Sequence, residues 1–230
     1  RARSTDCTLL DQKFEEIYQK SEIKKFAIEH QKLSQILKKY TGSEITYKQF
    51  NKLYQTLHIQ KIDSGLDDGF CKHYPVWASD DLMSNLREAI IQYQNIVYNI
   101  TNNDMKKLLG GPLLGLILQR LLSIKDENST ESKKLYLYSA HDTTLMYFLQ
   151  SLSLAYFEVY SFSSAIFLEL YKAEDKFFLS ILFKQGRGYS DDLIELKIPF
   201  CTSSCDLNIF EQHIMEIIST DRKKECISSP

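Results

Sequence analysis

Leu135-Tyr136-Leu137-Tyr138-Ser139-Ala140-His141-Asp142-Thr143-Thr144-Leu145-Met146-Tyr147-Phe148-Leu149 is the stretch whose reading decides the fold. Its first four residues are strand formers with almost no polar interruption, the pattern of an interior strand of a parallel sheet. Thr143-Thr144 then leads into an apolar helical run, so His141-Asp142 falls between the carboxyl end of a strand and a helix N-terminus. In open α/β sheets ligands bind at such junctions, because the helix start presents free N–H groups and a positive partial charge. A histidine that donates hydrogen bonds to an oxyanion, beside a carboxyl group that delivers a proton, suits hydrolysis of a phosphate monoester. The dipeptide alone equally admits a plainer role, with His141 bonded to a neighbouring carbonyl and Asp142 capping the helix.

Working outward, SAIFLELY and FFLSILF flank Ala173-Glu174-Asp175-Lys176, and their composition and spacing predict an antiparallel hairpin. A last helix carries Ile209, Phe210, Ile214, Ile217 and Ile218. Upstream, Gly110-Gly111-Pro112 introduces LLGLILQRLL, apolar on nearly every side, which predicts a helix packed between other elements. Further back the chain reads as helices. Leu10, Phe14, Ile17 and Tyr18 recur at helical spacing, as do Leu33, Ile36, Leu37 and Tyr40, then Phe50, Leu53, Tyr54 and Leu57. Pro75 and Ser79-Asp80-Asp81 signal the start of a longer helix with Leu82, Leu86, Ala89, Ile90, Tyr93 and Val97 on one face. The Asn99 to Asp104 cluster ends it. Helices, a strand, a helix and then more strands place the chain in the α/β class, with a helical subdomain ahead of the sheet.

The 230 residues carry 28 Lys+Arg against 30 Asp+Glu, a net charge of −2, which leaves no electrostatic footprint for a nucleic-acid backbone. Charged residues at 25% and hydrophobic ones at 43% describe a globular chain rather than a disordered or fibrous one. The longest apolar stretches, Pro112 to Leu118 and Phe177 to Phe183, fall well short of the roughly 18 residues a membrane span needs. The first residue is Arg1, with no charged segment followed by an apolar one, so either a signal segment has been removed or the beginning is missing.

Cys7, Cys71, Cys201, Cys205 and Cys226 are odd in number, leaving at least one thiol over if the others pair. Cys201 and Cys205 are placed to close a small disulfide ring or to form half of a zinc site, though only scattered Cys and His would complete the latter. Two N-x-[ST] sequons, at Asn99 and Asn128, offer glycan acceptors in polar stretches. Together these features favour an oxidising lumen over the cytosol.

Tyr138-Ser139-Ala140-His141-Asp142-Thr143-Thr144 resembles the C-terminal signature of the histidine acid phosphatases, especially the prostatic and lysosomal branch. Arg3-Ser4-Thr5-Asp6 resembles the family's RSTD motif, Pro75 to Glu88 (PVWASDDLMSNLRE) its PSWA-acidic-LRE helix start, and GGPLLGLIL the helix before the signature strand. IPFCTSSCDLNIF and the Glu225-Cys226 end also match in order, so the resemblance runs over nearly the whole chain. It implies a phosphoglycerate-mutase-like α/β fold, with residues 8–100 a mainly helical cap region and 101–230 an α/β core portion of one partial domain. It also implies hydrolysis of phosphate monoesters at acid pH in two steps, through a phosphohistidine. In that scheme Asp142 is the general acid, His141 a phosphate ligand, and Arg3 a second clamp whose planar fork suits phosphate oxygens. The resemblance further implies Cys7–Cys226 and Cys201–Cys205 disulfides with Cys71 free, which together with the glycan acceptors Asn99 and Asn128 suits a secreted or lysosomal location, and no residue cluster requires a metal or cofactor. A second copy of the chain is an admissible partner. Inositol-phosphate hydrolysis is a lesser option, since the match lies closer to the acid phosphatases than to the phytases.

One departure carries weight. The family's nucleophile lies in an N-terminal RHGxRxP motif, and none of His30, His58, His73, His141 or His213 is preceded by Arg or followed by Gly. Asp6 also adjoins Cys7, where family members interpose several tens of residues. The expectation is a family member lacking its first sheet strand and part of its middle, inactive as it stands. The alternative is a secreted phosphatase-like protein that binds rather than catalyses.

Overall fold

The computed structural model describes residues 7–66, 69–71, 73–126, 133–154, 158–186, 193–201 and 204–227. They divide into two compact units, one holding residues 15–100 with Glu158 and Val159, the other holding the described residues of 7–14, 101–154 and 160–227.

The first unit is helical. α1 (Thr8–Gln19) reaches into it and is followed by α2 (Ser21–Glu29), α3 (Gln31–Thr41), α4 (Tyr47–Ser64) and α5 (Asp80–Ile100). The apolar stripes supply the buried helix faces, with Leu37, Phe50, Tyr54, Leu57, Leu82, Leu86, Ala89 and Ile90 in one cluster, although Ile36 and Tyr40 of the α3 stripe are exposed. Phe26 of α2 joins them, although no stripe through that segment stood out in the sequence. Full burial of such a side chain contributes about 1.5–3 kcal/mol. α3 stops at Gly42, whose φ of 69° is left-handed backbone that costs glycine nothing, and its N–H closes onto the Lys38 carbonyl. α5 starts where Ser79-Asp80-Asp81 predicts, with Ser79 Oγ accepting from the Leu82 N–H at 3.2 Å and both aspartates in the first turn. Arg87 of α5 is ion-paired with Glu158.

The second unit adds α6 (Asn103–Leu109), α7 (Gly111–Lys125), α8 (Asp142–Ser151), α9 (Leu207–Ile214) and α10 (Arg222–Glu225) to an antiparallel sheet. β1 (Ala165–Ala173) and β2 (Lys176–Lys184) form the predicted hairpin, paired from Ala173↔Lys176 back to Ala165↔Lys184. Two short strands, β3 (Ile194–Glu195) and β4 (Cys205–Asp206), pair with β2. Leu179 and Ile181 of β2 turn inward onto Leu114, Leu118 and Leu121 of α7, Phe148 and Leu149 of α8, and Phe210 of α9, and Phe183, on the same face of the strand, is buried against the Tyr160 ring. α7 is central to this cluster, as its all-round apolar sequence predicts. Among the described residues no single helix is long and apolar enough to cross a membrane.

The expectation of an interior parallel strand at Leu135–Tyr138 is corrected. Residues 133–140 form no strand, and every ladder among the described residues is antiparallel and joins β1 to β4. Leu135 is 71% and Leu137 84% exposed. An apolar run of strand formers becomes a strand only where a neighbouring strand pairs with its N–H and C=O groups, and among the described residues none lies alongside.

Candidate active site

The backbone leaves extended geometry at His141 (φ −94°, ψ 162°) and turns into α8, whose first hydrogen bonds run from the Thr144 and Leu145 N–H groups to the His141 carbonyl. Thr144 Oγ1 accepts from the His141 N–H at 3.4 Å, and Asp142 Oδ1 accepts from the Thr143 N–H at 2.7 Å. The carboxylate therefore sits in the first turn against the positive end of the helix. His141 is exposed, residues 142–147 are half-buried, and Phe148–Ser151 are buried. The site end of α8 faces outward while its other end is embedded.

That embedded end is held by α6 and the turn into α7. Ser151 Oγ donates to the Lys106 carbonyl (3.2 Å) and the Tyr147 carbonyl (2.9 Å), and Lys106 Nζ donates to Ser153 Oγ (3.0 Å). Burial pushes the Lys106 amine below the usual lysine range. A methyl group at Gly110 would lie 2.4 Å from the Tyr147 carbonyl oxygen and 2.1 Å from Ser151 Oγ, and one at Gly111 2.2 Å from the Ile217 carbonyl oxygen. The two glycines of GGPLLG let the start of α7 lie directly against neighbouring backbone. Lys106, Ser151 and Ser153 were not legible as a group, since 45 residues separate the first two.

Among the remaining expected residues, His141 and Asp142 adjoin at the start of α8, while Arg3 and Asn128 lie outside the described residues. Asn99 is in the last turn of α5, where its Nδ2 donates to Asn95 Oδ1 (3.1 Å). Cys7 is disulfide-bonded to Cys226 and Cys201 to Cys205. Cys71 is a free thiol, pushed up in pKa by burial and then by the Asp63 carboxylate. Thr8 Oγ1 and the Leu9 N–H both donate to the Cys226 carbonyl, and Glu225 pairs with Lys107 at 2.9 Å. Burial opposes the Glu225 charge, but hydrogen bonds from Ser219 and Lys107 hold its carboxyl below the usual range.

Three further histidines pack against aromatic rings. His30 Nδ1 donates to the Phe26 carbonyl and its ring lies 4.1 Å from that of Phe26. His58 stacks on Tyr54, and His213 on Phe200 at 4.4 Å. Among the described residues no three His, Cys, Asp or Glu side chains gather as a metal site.

A histidine and a carboxylate at the outward-facing N-terminus of a helix in an α/β unit coincide with a family match over most of the chain. The model of the histidine phosphatase superfamily (branch 2) matches residues 3–184, and the chain belongs to that family. Its similar relatives include venom acid phosphatase Acph-1 of Apis mellifera, 27% identical over 224 residues that cover 96% of this chain and 55% of the relative. Prostatic acid phosphatase of Bos taurus is 30% identical over 153 residues, 66% of this chain and 38% of the relative. Lysosomal acid phosphatase of Xenopus laevis is 26% identical over 200 residues, 81% of this chain and 46% of the relative. The chain spans about half the length of the curated relatives it matches.

Proposed function

We propose that the chain carries the acid and phosphate-binding half of an acid phosphatase site that hydrolyses phosphate monoesters. The carrying observation is His141-Asp142 at the start of α8, inside the stretch matched to the family. In this reading the His141 side chain donates to phosphoryl oxygens and the positive end of α8 lies beside them as negative charge develops there, an electrostatic contribution that removes a large part of the barrier. Arg3 adds a bidentate clamp. Asp142, next to the departing oxygen, gives the alcohol its proton as the bond to phosphorus breaks, and then takes a proton from the water that attacks the phosphohistidine.

The attacking histidine belongs to an RHGxRxP motif that these 230 residues do not contain. The second reading is a phosphatase-like protein that binds a phosphorylated ligand or partner without turnover, and it is favoured only if no sequence upstream of Arg1 encodes that motif. A secreted or lysosomal location is supported by the two disulfides and by relatives named for venom and lysosome, and in that setting Asn99 and Asn128 are glycan acceptors. A homodimer belongs to the same proposal.

The test is phosphate release from an aryl phosphate at acid pH. The 230-residue chain should release none, and the same chain joined to an RHGxRxP-bearing segment should do so and lose the activity in His141→Ala. Turnover by the chain alone, abolished by His141→Ala, would overturn the division of roles. A joined chain that folds and binds inorganic phosphate without turnover would leave the binding reading standing.

A further inference from the structure

We infer that Lys106, Gly110 and Ser151 are positioning residues, forming a clamp that aims the His141–Asp142 end of α8. The inference rests on the proposed function for what that end does, and on the geometry of the helix for how it is aimed.

α8 is held asymmetrically. Its last turn is buried, and Ser151 is tied to α6 through the Lys106 carbonyl. Just beyond it, Ser153 receives the Lys106 ammonium. Gly110 lies so close to the Tyr147 carbonyl that no side chain fits between. The first turn has its own short-range bonds, from Thr143 to Asp142 and from His141 to Thr144, and these fix the turn's shape but not its direction. Direction comes from the embedded end.

The lever is long enough to matter. Ten residues of α-helix span about 15 Å, so a tilt of roughly 4° about the clamp moves the first turn by about 1 Å. A displacement of that size is on the scale that costs up to about 10²-fold in a catalytic step, and functional groups need to be held to about 0.5 Å. GGPLLG thereby acquires a role beyond packing, because its first glycine is the contact point.

The experiment uses the 230-residue chain labelled with nitrogen-15, in the wild type and in Ser151→Ala, Lys106→Met and Gly110→Ala. Ile117→Val, which thins the same core at α7 without touching the clamp, is the control. In the ligand-free proteins, the amide resonances of Asp142, Thr143 and Thr144 should shift or broaden in Ser151→Ala and Lys106→Met and stay in place in Ile117→Val. Titration with inorganic phosphate should show the two clamp variants binding about tenfold more weakly, within the range a 1 Å misplacement allows. Gly110→Ala should show the larger effect if it folds, and the side-chain variants decide the matter if it does not. Resonances of the first turn unchanged in the clamp variants, whatever their melting temperature, would overturn the inference. A wild type that shows no phosphate binding while those resonances respond to the clamp would instead count against the proposed function and leave the clamp intact.

Discussion

Asp142 already uses Oδ1 to accept the Thr143 N–H, so Asn in its place retains an acceptor for the helix and loses only the proton it would deliver. In a catalytically complete form, Asp142→Asn should slow hydrolysis of an alkyl phosphate by about 10²- to 10⁴-fold, the usual contribution of a positioned general acid. An aryl phosphate, whose phenolate leaves with little help, should be slowed much less, and His141→Ala should slow both alike. Equal losses in Asp142→Asn would assign Asp142 to the helix alone. A second residue-scale expectation concerns pH. Burial, and then the charge of Lys61, hold the pKa of His58 below the ordinary histidine value. The unfolded chain then binds more protons at this site, so the stability it contributes is complete above about pH 6.5 and is lost as pH falls from there through the folded value. His58→Gln should flatten the fall in melting temperature between pH 7.5 and pH 5. An unchanged slope would contradict the lowered pKa of His58.

The β1–β2 hairpin shows what was legible at the scale of elements. Its two runs and the intervening Glu174-Asp175 were readable because strand-forming composition on either side of a short polar spacer marks a hairpin, and the register bears them out. The backbone at the turn was not readable, since both residues sit at positive φ, 47° and 61°, a conformation usually given to Asn-Gly. Left-handed backbone costs an ordinary residue about 1–2 kcal/mol, whereas the Lys172–Asp175 pair across the turn is exposed and worth little. Glu174→Asn with Asp175→Gly should therefore raise stability by about 1 kcal/mol or more, read as a higher urea midpoint at an unchanged slope. No gain would mean that the turn relaxes without strain. The run at Leu135–Tyr138 failed for the opposite reason, because composition names a strand former but not the partner that makes a strand. Leu137→Lys should shift stability by less than about 0.5 kcal/mol, as at a surface position, where an interior strand would lose several. A loss of that larger size would return Leu137 to a packed environment.

At the scale of the molecule, the α/β class and the family were legible from ordered motifs spread along the chain, and the match over residues 3–184 agrees with them. His141-Asp142 was legible because a helix start beside a histidine and a carboxyl group is a local pattern. The clamp on the far end of α8 was not, since it joins residues brought together only by folding. The central claim is a division of labour, in which this chain supplies the proton donor and the phosphate ligand, and a histidine outside its own five supplies the attacking nitrogen. It is tested most directly by trapping the phosphorylated protein. The chain joined to an RHGxRxP-bearing segment is quenched during turnover of a phosphate monoester, and the phosphorylated residue is located by mass spectrometry. The account predicts phosphate on the histidine of the added motif and none on His30, His58, His73, His141 or His213. Phosphate on His141, or on any of the other four, would contradict it.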